Sequence, residues 1–304
     1  MRFQRLLLVV NPVARTYSKP TLAVIEKALS ADFRLEVVET KERGHASELA
    51  TEAVLDGIDL VVVFSGDGTV NEVVNALAGS DTAIAALPGG ATNIFVRALG
   101  FPLDPIEATG TLIGKALDDA AFKLTLGRAD GRYFAVNCGA GVDAAAMKRL
   151  DRRFPETKAK FDRAAFRAVA WELMVGYAGR TADLEVRVDE GEAMPSLSVM
   201  VGRTDPYTYY RDRPIRMTPE ASLEEGLDVL SVRKLNRRSV PRIAWQVFGS
   251  ARHVHGRDID YVHDASHVLV TSATPFPVQV DGDSLGEHQR LEIDLAREAL
   301  WVVA

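Results

Sequence analysis

Short apolar runs alternate with segments of helical spacing through the first 125 residues of the chain. Continuous apolar runs predict buried strands, and apolar residues that recur every three or four positions predict helices packed against them. The predicted strands are 5–10, 34–38, 59–64 and 83–87, and the predicted helices are 21–29, 46–55, 70–78, 93–99 and 105–117. Strands and helices that alternate in this way favour a mostly parallel sheet with helices on both faces.

From Lys123 onward the pattern changes to the alternation of half-buried antiparallel strands. The stretch KLTLGRADGRYFAVN alternates on both sides of an Asp130-Gly131 turn, and DLEVRVDEGEAMPSLSVMVG repeats this hairpin pattern. Further strand-like runs are LDVLSVRKL, HVLVTSA, FPVQVDGD and RLEIDL, and a helical segment is predicted over 164–177. We therefore predict an α/β domain over 1–125 and an antiparallel β-sandwich domain over 126–304, whose last strand could pack back on the first domain.

Composition and charge narrow the function classes. The chain has 304 residues, 47% hydrophobic and 26% charged, which is enough to bury the cores of two domains. Its single cysteine, Cys138, excludes an intrachain disulfide and a cysteine-based zinc site, and it favours a reducing, cytoplasmic location. The apolar run 6–10 is too short for a signal peptide, and no run reaches the roughly 20 apolar residues of a membrane span. The net charge of −6 argues against a nucleic-acid binder.

A local basic segment interrupts this acidic composition. Residues 149–167 carry seven Arg or Lys side chains against three Asp or Glu side chains. The basic residues are Arg149, Arg152, Arg153, Lys158, Lys160, Arg163 and Arg167. Either they form a solvated helix face, or they contact an anionic surface such as a membrane.

The turn SGDGT at 65–69 joins the predicted strand 59–64 to the predicted helix 70–78. A helix N-terminus directs backbone N–H groups and a positive dipole outward, and glycines let a phosphate approach the backbone, so this turn can hold a phosphate. A carboxylate beside a phosphate is repelled unless a cation such as Mg²⁺ lies between them, and Asp67 therefore indicates a metal-bound phosphate. The alternative is a tight turn that needs glycine for its geometry alone.

The turn resembles the signature of the diacylglycerol kinase catalytic domain, a family that includes bacterial lipid kinases and sphingosine kinases and is more distantly related to NAD kinases. Five further elements match that family in the same order along the chain. They are Asn11-Pro12 after the first strand together with Thr40 after the second, LPGGATNIFVRALG at 87–100, NCGAGVDA at 137–144, PEASLEEGLDV at 219–229 and VQVDGDSLG at 278–286. The chain is identified as a member of this family, and the resemblance extends over nearly its whole length.

The resemblance implies that the first domain binds ATP. The residues assigned to ATP and its Mg²⁺ are Asn11, Pro12, Thr40, Ser65, Gly66, Asp67, Gly68, Thr69, Glu72, Gly90, Ala91, Thr92 and Asn93. Among them, Asp67 and Glu72 are the candidates to organise Mg²⁺ through water, because Mg²⁺ is usually held by one or two carboxylates while it keeps several waters. A second, structural Mg²⁺ is implied in the sandwich domain, bound by Glu225 and the backbone carbonyls of Ser222 and Leu227.

Phosphoryl transfer to a lipid hydroxyl needs a carboxylate that accepts the hydroxyl proton. The resemblance places this base in the VQVDGDSLG element, where Asp281 matches the family residue and Asp283 replaces its glutamate. We expect Asp281 to be the base, with Asp283 as the second candidate, and the competing interpretation of Asp281-Gly282 is a hairpin turn. Two other departures from the family pattern are Ala91 in place of Thr or Ser and Glu225 in place of Asp.

The resemblance thus implies an ATP-dependent lipid kinase, with diacylglycerol as the expected acceptor and phosphatidic acid as the product. The basic segment 149–167 adds the expectation of peripheral contact with the anionic inner face of the membrane, and a homodimer stays open. Two alternatives remain. An NAD kinase shares the turn and the fold logic, although the PEASLEEGLDV element favours the lipid branch. A non-catalytic nucleotide or lipid sensor would explain the departures at Ala91, Glu225 and Asp283.

Overall fold

The computed structural model describes residues 2–153, 169–210 and 213–304. The chain divides into two compact units, Met1–Leu126 with Ala296–Ala304, and Gly127–Leu295. Part of the predicted basic segment lies outside the described residues, namely Lys158, Lys160, Arg163 and Arg167. Of the helical segment predicted over 164–177, residues 169–177 are described, and they are helical.

Four parallel strands form the sheet of the first unit: β1 (Arg5–Val10), β2 (Arg34–Glu39), β3 (Leu60–Ser65) and β4 (Ala83–Pro88). Their order across the sheet is β4-β3-β1-β2, and Val302 near the end of the chain pairs in parallel with Ile84 of β4. Every residue of β3 and β4 is buried, as expected for apolar strands that helices cover on both faces. The edge strand β2 is more exposed, which agrees with its mixture of charged and apolar residues.

Five helices follow these strands: α1 (Lys19–Asp32), α2 (His45–Leu55), α3 (Asp67–Leu77), α4 (Ile94–Ala98) and α5 (Pro105–Leu117). Capping residues set two of the starts, since Ser18 accepts a hydrogen bond from the first turn of α1 and Asp104 does so for α5. α1 packs with α5, and α2 packs with α3. Because right-handed crossovers that run in opposite directions place their helices on opposite faces, these two pairs cover the two faces of the sheet.

Antiparallel strands build the second unit. They are the end of β5 (Ala121–Ala129), β6 (Arg132–Phe134), β7 (Asn137–Ala140), β8 (Leu184–Val188), β9 (Met194–Ser196), β10 (Ser198–Gly202), β11 (Thr208–Tyr210), β12 (Arg213–Ile215), β13 (Leu227–Val232), β14 (Ile259–Ala265), β15 (His267–Val280) and the first part of β16 (Asp283–Val303). β15 pairs with β8 through residues 268–272 and with β7 through residues 278–280. A strand that changes partners along its length connects the layers of a sandwich. The predicted combination of a parallel α/β unit and an antiparallel β-sandwich is confirmed.

Within the described part of the second unit, four helical segments accompany these strands: α6 (Val142–Arg153), a π-helical turn (Glu172–Tyr177), α7 (Val240–Val247) and a 3₁₀ turn (Arg252–His255). The sequence pattern predicted the π-helical turn as helix and missed the other three. α6 begins in a run of alanines, and α7 has only 8 residues with a proline at its second position, so neither shows a clear period in the sequence. Among the residues that the structure describes, no helix has both the length and the apolar character needed to cross a bilayer.

Candidate active site

The carboxyl ends of β1 and β3 lie where the helix connections diverge to opposite faces of the sheet. β1 leads to α1 on one face, and its neighbour β3 leads to α3 on the other. In open parallel sheets such a switch point leaves a crevice at the carboxyl edge, and ligands bind there. Three loops lie at this edge, and we call them the edge loops: 11–17, 65–69 and 88–93.

The edge loop 65–69 presents the N-terminus of α3. Gly66 is the N-cap residue, and it has no side chain that could occupy the N–H groups of the first helical turn. Ser65 donates its hydroxyl to Thr69 Oγ1 at 2.8 Å, and Asn11 Nδ2 lies 3.5 Å from the same oxygen. These contacts fix the turn, so the N–H groups of α3 are held at an edge where a phosphate can bind.

Glycines let the edge loops 65–69 and 88–93 approach each other at backbone contact. A Cβ on Gly90 would lie 2.7 Å from Gly66 Cα, and a Cβ on Gly89 would lie 2.5 Å from Ser65 Cα. The Gly89 N–H donates to the Ser65 carbonyl at 2.8 Å, which extends the pairing of β3 with β4. A side chain at either position would push the two loops apart.

A Gly90→Ala change is expected to weaken nucleotide binding and to destabilise the first unit. The new methyl group would force the two edge loops apart, and overpacking of this kind costs about 1–3 kcal/mol in the free energy of unfolding. Thermal unfolding and nucleotide titration measure the two effects. Gly110→Ala is the matched control, because Gly110 lies in α5 with nothing within 4 Å of its Cβ position. Unchanged nucleotide affinity in Gly90→Ala would contradict a role for the close approach in binding.

Asp67 connects the two glycine-containing edge loops. Its Oδ2 accepts a hydrogen bond from Thr92 Oγ1 at 2.9 Å, and its Oδ1 accepts one from the Phe95 N–H at 3.2 Å. Asn93 has a left-handed backbone with φ 48°, and its side chain binds the N–H and the carbonyl of Gly90. A carboxylate has about four acceptor positions, so Asp67 keeps acceptor capacity for a metal-bound water after these contacts. The donor chemistry at this turn therefore fits Mg²⁺.

Asp281 is held by three backbone N–H groups of the second unit. Its Oδ1 accepts from Val136 at 3.0 Å and from Asn137 at 2.9 Å, and its Oδ2 accepts from Ala135 at 3.1 Å. The residue has φ 47°, in the left-handed region, at the turn before Gly282. Because most of its acceptor positions are committed to these donors, Asp281 has a structural role in closing this turn.

Asp283 lies two residues later, at the start of β16. Its side chain is 7% exposed, and its Oδ2 lies 3.6 Å from Arg132 Nη2. Its position opposite Val280 in the hairpin places it at the same turn as Asp281. The turn thus carries two carboxylates, of which Asp281 closes the turn and Asp283 lies beside Arg132.

A buried polar network connects the turn to α6. Gln279 accepts a hydrogen bond from the Gly282 N–H at 2.7 Å, and its Nε2 donates to Asp143 and Asn137, each at 2.7 Å. Tyr207 donates its hydroxyl to Asp143 Oδ1 at 2.8 Å. Burial raises the pKa of Asp143, against the opposite effect of its hydrogen bonds to Tyr207 and Gln279. Sequence reasoning assigned no role to these residues, although Asp143 stands in the element NCGAGVDA.

Two family models match the chain, in the order of its two units. The model of the diacylglycerol kinase catalytic domain matches residues 5–123, and the YegS C-terminal NAD kinase beta sandwich-like domain matches residues 136–303. The chain belongs to the diacylglycerol kinase catalytic domain family. The family membership that the sequence motifs indicated is thereby confirmed.

Relatives in this family match along nearly the whole chain. The chain is 27% identical over 291 residues to the diacylglycerol kinase of Bacillus subtilis (strain 168), covering 92% of this chain and 90% of that protein. It is 24% identical over 292 residues to the diacylglycerol kinase of Staphylococcus carnosus (strain TM300), covering 93% and 90%. A solved structure from Bacillus anthracis str. Sterne superposes with a TM-score of 0.78 at 24% identity, covering 100% of this chain and 96% of that chain, and it shares the fold.

The structure places most of the ATP-binding residues implied by the diacylglycerol kinase family on the edge loops. On these loops lie Asn11, Pro12, Ser65, Gly66, Asp67, Gly68, Thr69, Gly90, Ala91, Thr92 and Asn93. Thr40 follows β2, and its N–H donates to the Val10 carbonyl at 2.8 Å. Glu72 is half-buried in the second turn of α3, and Ala91 is exposed.

Thr16 is an edge-loop residue that sequence reasoning missed. Its hydroxyl donates to the Pro88 carbonyl at 2.8 Å, and its N–H donates to the Gly89 carbonyl at 3.2 Å. It therefore fixes the edge loop 11–17 against the edge loop 88–93. Nothing in its context, ARTYS, marks it in the sequence, whereas Gly89 is visible as the first glycine of the LPGG element.

The groups that the diacylglycerol kinase family implies for a second Mg²⁺ make contacts within the second unit. The Ser222 carbonyl accepts the Glu225 N–H at 3.3 Å, and the Glu225 carboxylate lies 3.5 Å from His263 Nε2. The Glu225 carbonyl accepts a hydrogen bond from Arg203. Within the described ranges, no group of three or more His, Cys, Asp or Glu side chains is arranged to hold a metal ion. Two of the three groups implied for the second Mg²⁺, the Ser222 carbonyl and the Glu225 carboxylate, therefore already have partners in the second unit.

Proposed function

We propose that the protein is an ATP-dependent lipid kinase that transfers the γ-phosphoryl group of ATP to the hydroxyl of diacylglycerol, with phosphatidic acid as the product. The observation that carries the proposal is the close approach of two glycine-containing edge loops around Asp67, at the carboxyl edge of a parallel sheet. Relatives named diacylglycerol kinase, which match more than nine tenths of the chain, support the choice of acceptor.

The edge loops supply the contacts that a triphosphate requires. The N-terminus of α3 offers N–H groups to phosphate oxygens, and the close approach of Gly66 and Gly90 sets the loop 88–93 beside it. Thr16 and Asn93 hold the loop 88–93 in place through its backbone. Because these donors are already held in place, they lose little conformational entropy when the triphosphate binds. They can therefore promote phosphoryl transfer by orienting the phosphate groups.

Asp67 and Glu72 are the carboxylates on the first two turns of α3 that would hold Mg²⁺ through water. When it is bound with ATP, Mg²⁺ neutralises the charge that develops on the phosphate oxygens during transfer. Thr92 and the Phe95 N–H fix the direction of the Asp67 carboxylate by their hydrogen bonds. The chain thereby holds a carboxylate in one orientation at the start of a helix.

We propose Asp283 as the general base, in preference to Asp281. The sequence favoured Asp281, because Asp281 matches the family element without change. In the structure, three backbone N–H groups use the Asp281 carboxylate, and a proton acceptor needs an available lone pair. Asp283 is nearly buried at the same turn, and Arg132 lies beside it at 3.6 Å.

One assay separates the lipid kinase from the two alternatives. The purified protein receives radiolabelled ATP and Mg²⁺ with diacylglycerol micelles, with NAD, or with neither. Label in phosphatidic acid supports the proposal, label in NADP supports an NAD kinase, and nucleotide binding without transfer supports a sensor. Asp67→Asn serves as the control for contaminating kinases, because it keeps the shape of the side chain and loses its charge.

The acceptor also determines where the protein must work. Diacylglycerol resides in a membrane, so we propose that the protein acts at the anionic inner face of the membrane as a peripheral enzyme of the cytoplasm. Part of the basic segment 149–167 lies outside the described residues. The π-helical turn after it exposes Val175, and Trp171 just before the turn is half exposed beneath the Arg149 guanidinium.

A further inference from the structure

Arg203 is fully buried in the second unit, which is rare for an arginine. Its guanidinium donates to backbone carbonyls of the loop 222–227, which precedes β13. Nη1 donates to the carbonyls of Glu225 and Gly226, and Nη2 donates to the carbonyl of Leu223 at 2.9 Å. This is the loop on which the family resemblance places a structural Mg²⁺.

Carbonyl oxygens that converge on one point need a positive group between them. A hard divalent cation meets this need in oxygen-lined sites, and a guanidinium can meet it with its fork of N–H donors. The Arg203 guanidinium lies within hydrogen-bond distance of the Glu225 and Gly226 oxygens. The implied cation would bind the carbonyls of Ser222 and Leu227 and the Glu225 carboxylate, which alternate along the loop with the oxygens that the guanidinium holds, so its charge would lie close to a positive charge that is already buried there.

Other groups of the second unit also hold the loop and the residue that follows it. The Gly226 N–H donates to Asp264 Oδ1 at 2.7 Å, and a Cβ on Gly226 would lie 2.6 Å from the Ala265 carbonyl oxygen. Asp228 follows the loop, is fully buried, and accepts a hydrogen bond from the Tyr261 hydroxyl. The conformation of the loop is thus set by side chains and backbone contacts of the second unit.

We propose that the Arg203 guanidinium takes the place of the structural divalent cation at the loop 222–227, so that the second unit keeps its fold without bound Mg²⁺. The inference concerns folding and not phosphoryl transfer. If the inference fails, the proposed function is unaffected. If the proposed function fails, the inference is unaffected.

Thermal unfolding of the nucleotide-free protein tests this inference. We expect the same Tm for the wild type in EDTA and in excess Mg²⁺, and no stoichiometric metal in the dialysed protein. Arg203→Ala should lower the Tm by on the order of 10 °C, because the buried carbonyls lose their donors. Excess Mg²⁺ should recover part of that loss. Arg290→Ala is the control, since Arg290 forms an exposed ion pair with Glu292 and its loss should have little effect.

A wild-type Tm that falls in EDTA and is restored by Mg²⁺ would overturn the inference, and so would one divalent ion retained per chain after dialysis. Both measurements use the wild type, so the inference stays testable if Arg203→Ala does not fold. Arg203→Lys adds a second variant, because it keeps the charge and loses the fork of donors. We expect its Tm to lie between those of Arg203→Ala and the wild type.

A different observation carries a second inference, which concerns an acid-free segment of the second unit. Residues 229–257 contain seven Arg or Lys residues and no Asp or Glu, in a protein of net charge −6. All seven are exposed, and they are Arg233, Lys234, Arg237, Arg238, Arg242, Arg252 and Arg257. Sequence reasoning missed this segment, although the absence of acids over 29 positions is visible in the chain.

Helix α7 lies in the middle of this segment and has two contrasting faces. Val240, Ile243 and Val247 lie on one face, where Val240 and Val247 are buried and Ile243 packs against the core. Trp245 is 80% exposed, and it lies three positions after Arg242, on the opposite face. We call Arg238, Arg242 and Trp245 the α7 face: Arg242 and Trp245 are three positions apart on α7, and Arg238 lies in the turn just before the helix.

The α7 face has the chemistry of a membrane-contact surface. Exposed tryptophan is favourable at the boundary between headgroups and acyl chains, where its ring is buried and its N–H stays hydrated. Arginines beside it are attracted to anionic headgroups within about one Debye length. The excess of basic side chains in the segment favours an anionic partner, although Arg233 is paired with Asp260, and the exposed indole favours a bilayer among anionic partners.

We infer that the α7 face docks the protein on an anionic bilayer. The inference rests on the proposed function, because an enzyme with a lipid acceptor has to reach that lipid at a membrane. Docking itself is measured without ATP. A protein that docks but transfers no phosphate would contradict the proposed function alone. A protein that phosphorylates micellar diacylglycerol but does not bind anionic vesicles would contradict docking alone.

Co-sedimentation with vesicles tests the docking inference. We expect binding to vesicles of phosphatidylcholine with phosphatidylglycerol, weak binding to phosphatidylcholine alone, and a steep loss with salt. Each arginine near an anionic surface contributes roughly fivefold in affinity, so Arg238→Gln with Arg242→Gln should weaken binding about 25-fold. Trp245→Ala should weaken it further, whereas Leu55→Ala, which removes an exposed apolar side chain of the first unit, should not.

The segment 149–167 provides the competing variant. Changing Lys158, Lys160 and Arg163 together to Gln should have a smaller effect than the α7 changes. Docking through α7 would be overturned if that triple variant lost binding while the α7 variants kept it. Equal binding to neutral and anionic vesicles would overturn it as well.

Discussion

Replacing Asp67 with alanine is expected to lower the rate of phosphoryl transfer by at least about 10²-fold while the protein stays folded. Asp67 lies in the first turn of α3, is half-buried, and accepts hydrogen bonds from Thr92 of the edge loop 88–93 and from the Phe95 N–H at the start of α4. Its removal takes away the carboxylate that would hold Mg²⁺ and leaves the cores of both units unchanged. Initial rates with radiolabelled ATP and the circular dichroism of the variant measure the two parts of this expectation.

Thr92→Val is the matched control for this prediction. It removes the hydrogen bond to Asp67 Oδ2 but keeps the carboxylate, so we expect a smaller loss of rate. Unchanged transfer by Asp67→Ala at ordinary Mg²⁺ concentration would contradict the role of Asp67. A variant that loses its fold would show instead that the two hydrogen bonds are structurally essential.

The second large effect is expected at the turn 281–283, where two carboxylates should respond in different ways. Asp283→Asn should lower kcat by about 10²-fold or more, as for the loss of a general base. Asp281→Asn should lower the stability, because an amide keeps only one acceptor oxygen for three N–H donors and each unpaired donor costs about 1–3 kcal/mol. Steady-state kinetics and thermal unfolding of both variants separate the two roles.

The pattern of losses decides between the two aspartates. If Asp281→Asn loses its rate at an unchanged Tm and Asp283→Asn keeps its rate, the base is Asp281, as the sequence first indicated. A loss of rate in both variants with no loss of stability would show that the two carboxylates act together.

The parallel sheet could be predicted because β1, β3 and β4 are continuous apolar runs, and burial on both faces is what such runs require. The turn 65–69 could be predicted as a helix N-terminus, because a continuous apolar run precedes it and apolar residues at helical spacing follow it. The contact between Gly66 and Gly90 could not be predicted, because it joins two turns that are adjacent only after β3 and β4 pair.

The roles of Asp281 and Arg203 could not be inferred from local sequence for the same physical reason. An Asp-Gly pair in a hairpin has the same pattern whether the carboxylate is a base or closes the turn. Only the donors at 135–137, far away in the chain, distinguish the two roles. Arg203 follows a strand and resembles an ordinary surface arginine, and its burial depends on the carbonyls of a loop about 20 residues later.

Mass spectrometry of the lipid product tests the central claim most directly. The purified protein is incubated with ATP, Mg²⁺ and a mixture of diacylglycerol and NAD, and the organic and aqueous phases are analysed separately. The account predicts phosphatidic acid in the organic phase, formed in equal amount with ADP, and no NADP in the aqueous phase. ADP release without a phosphorylated lipid, or NADP as the only phosphorylated product, would contradict it.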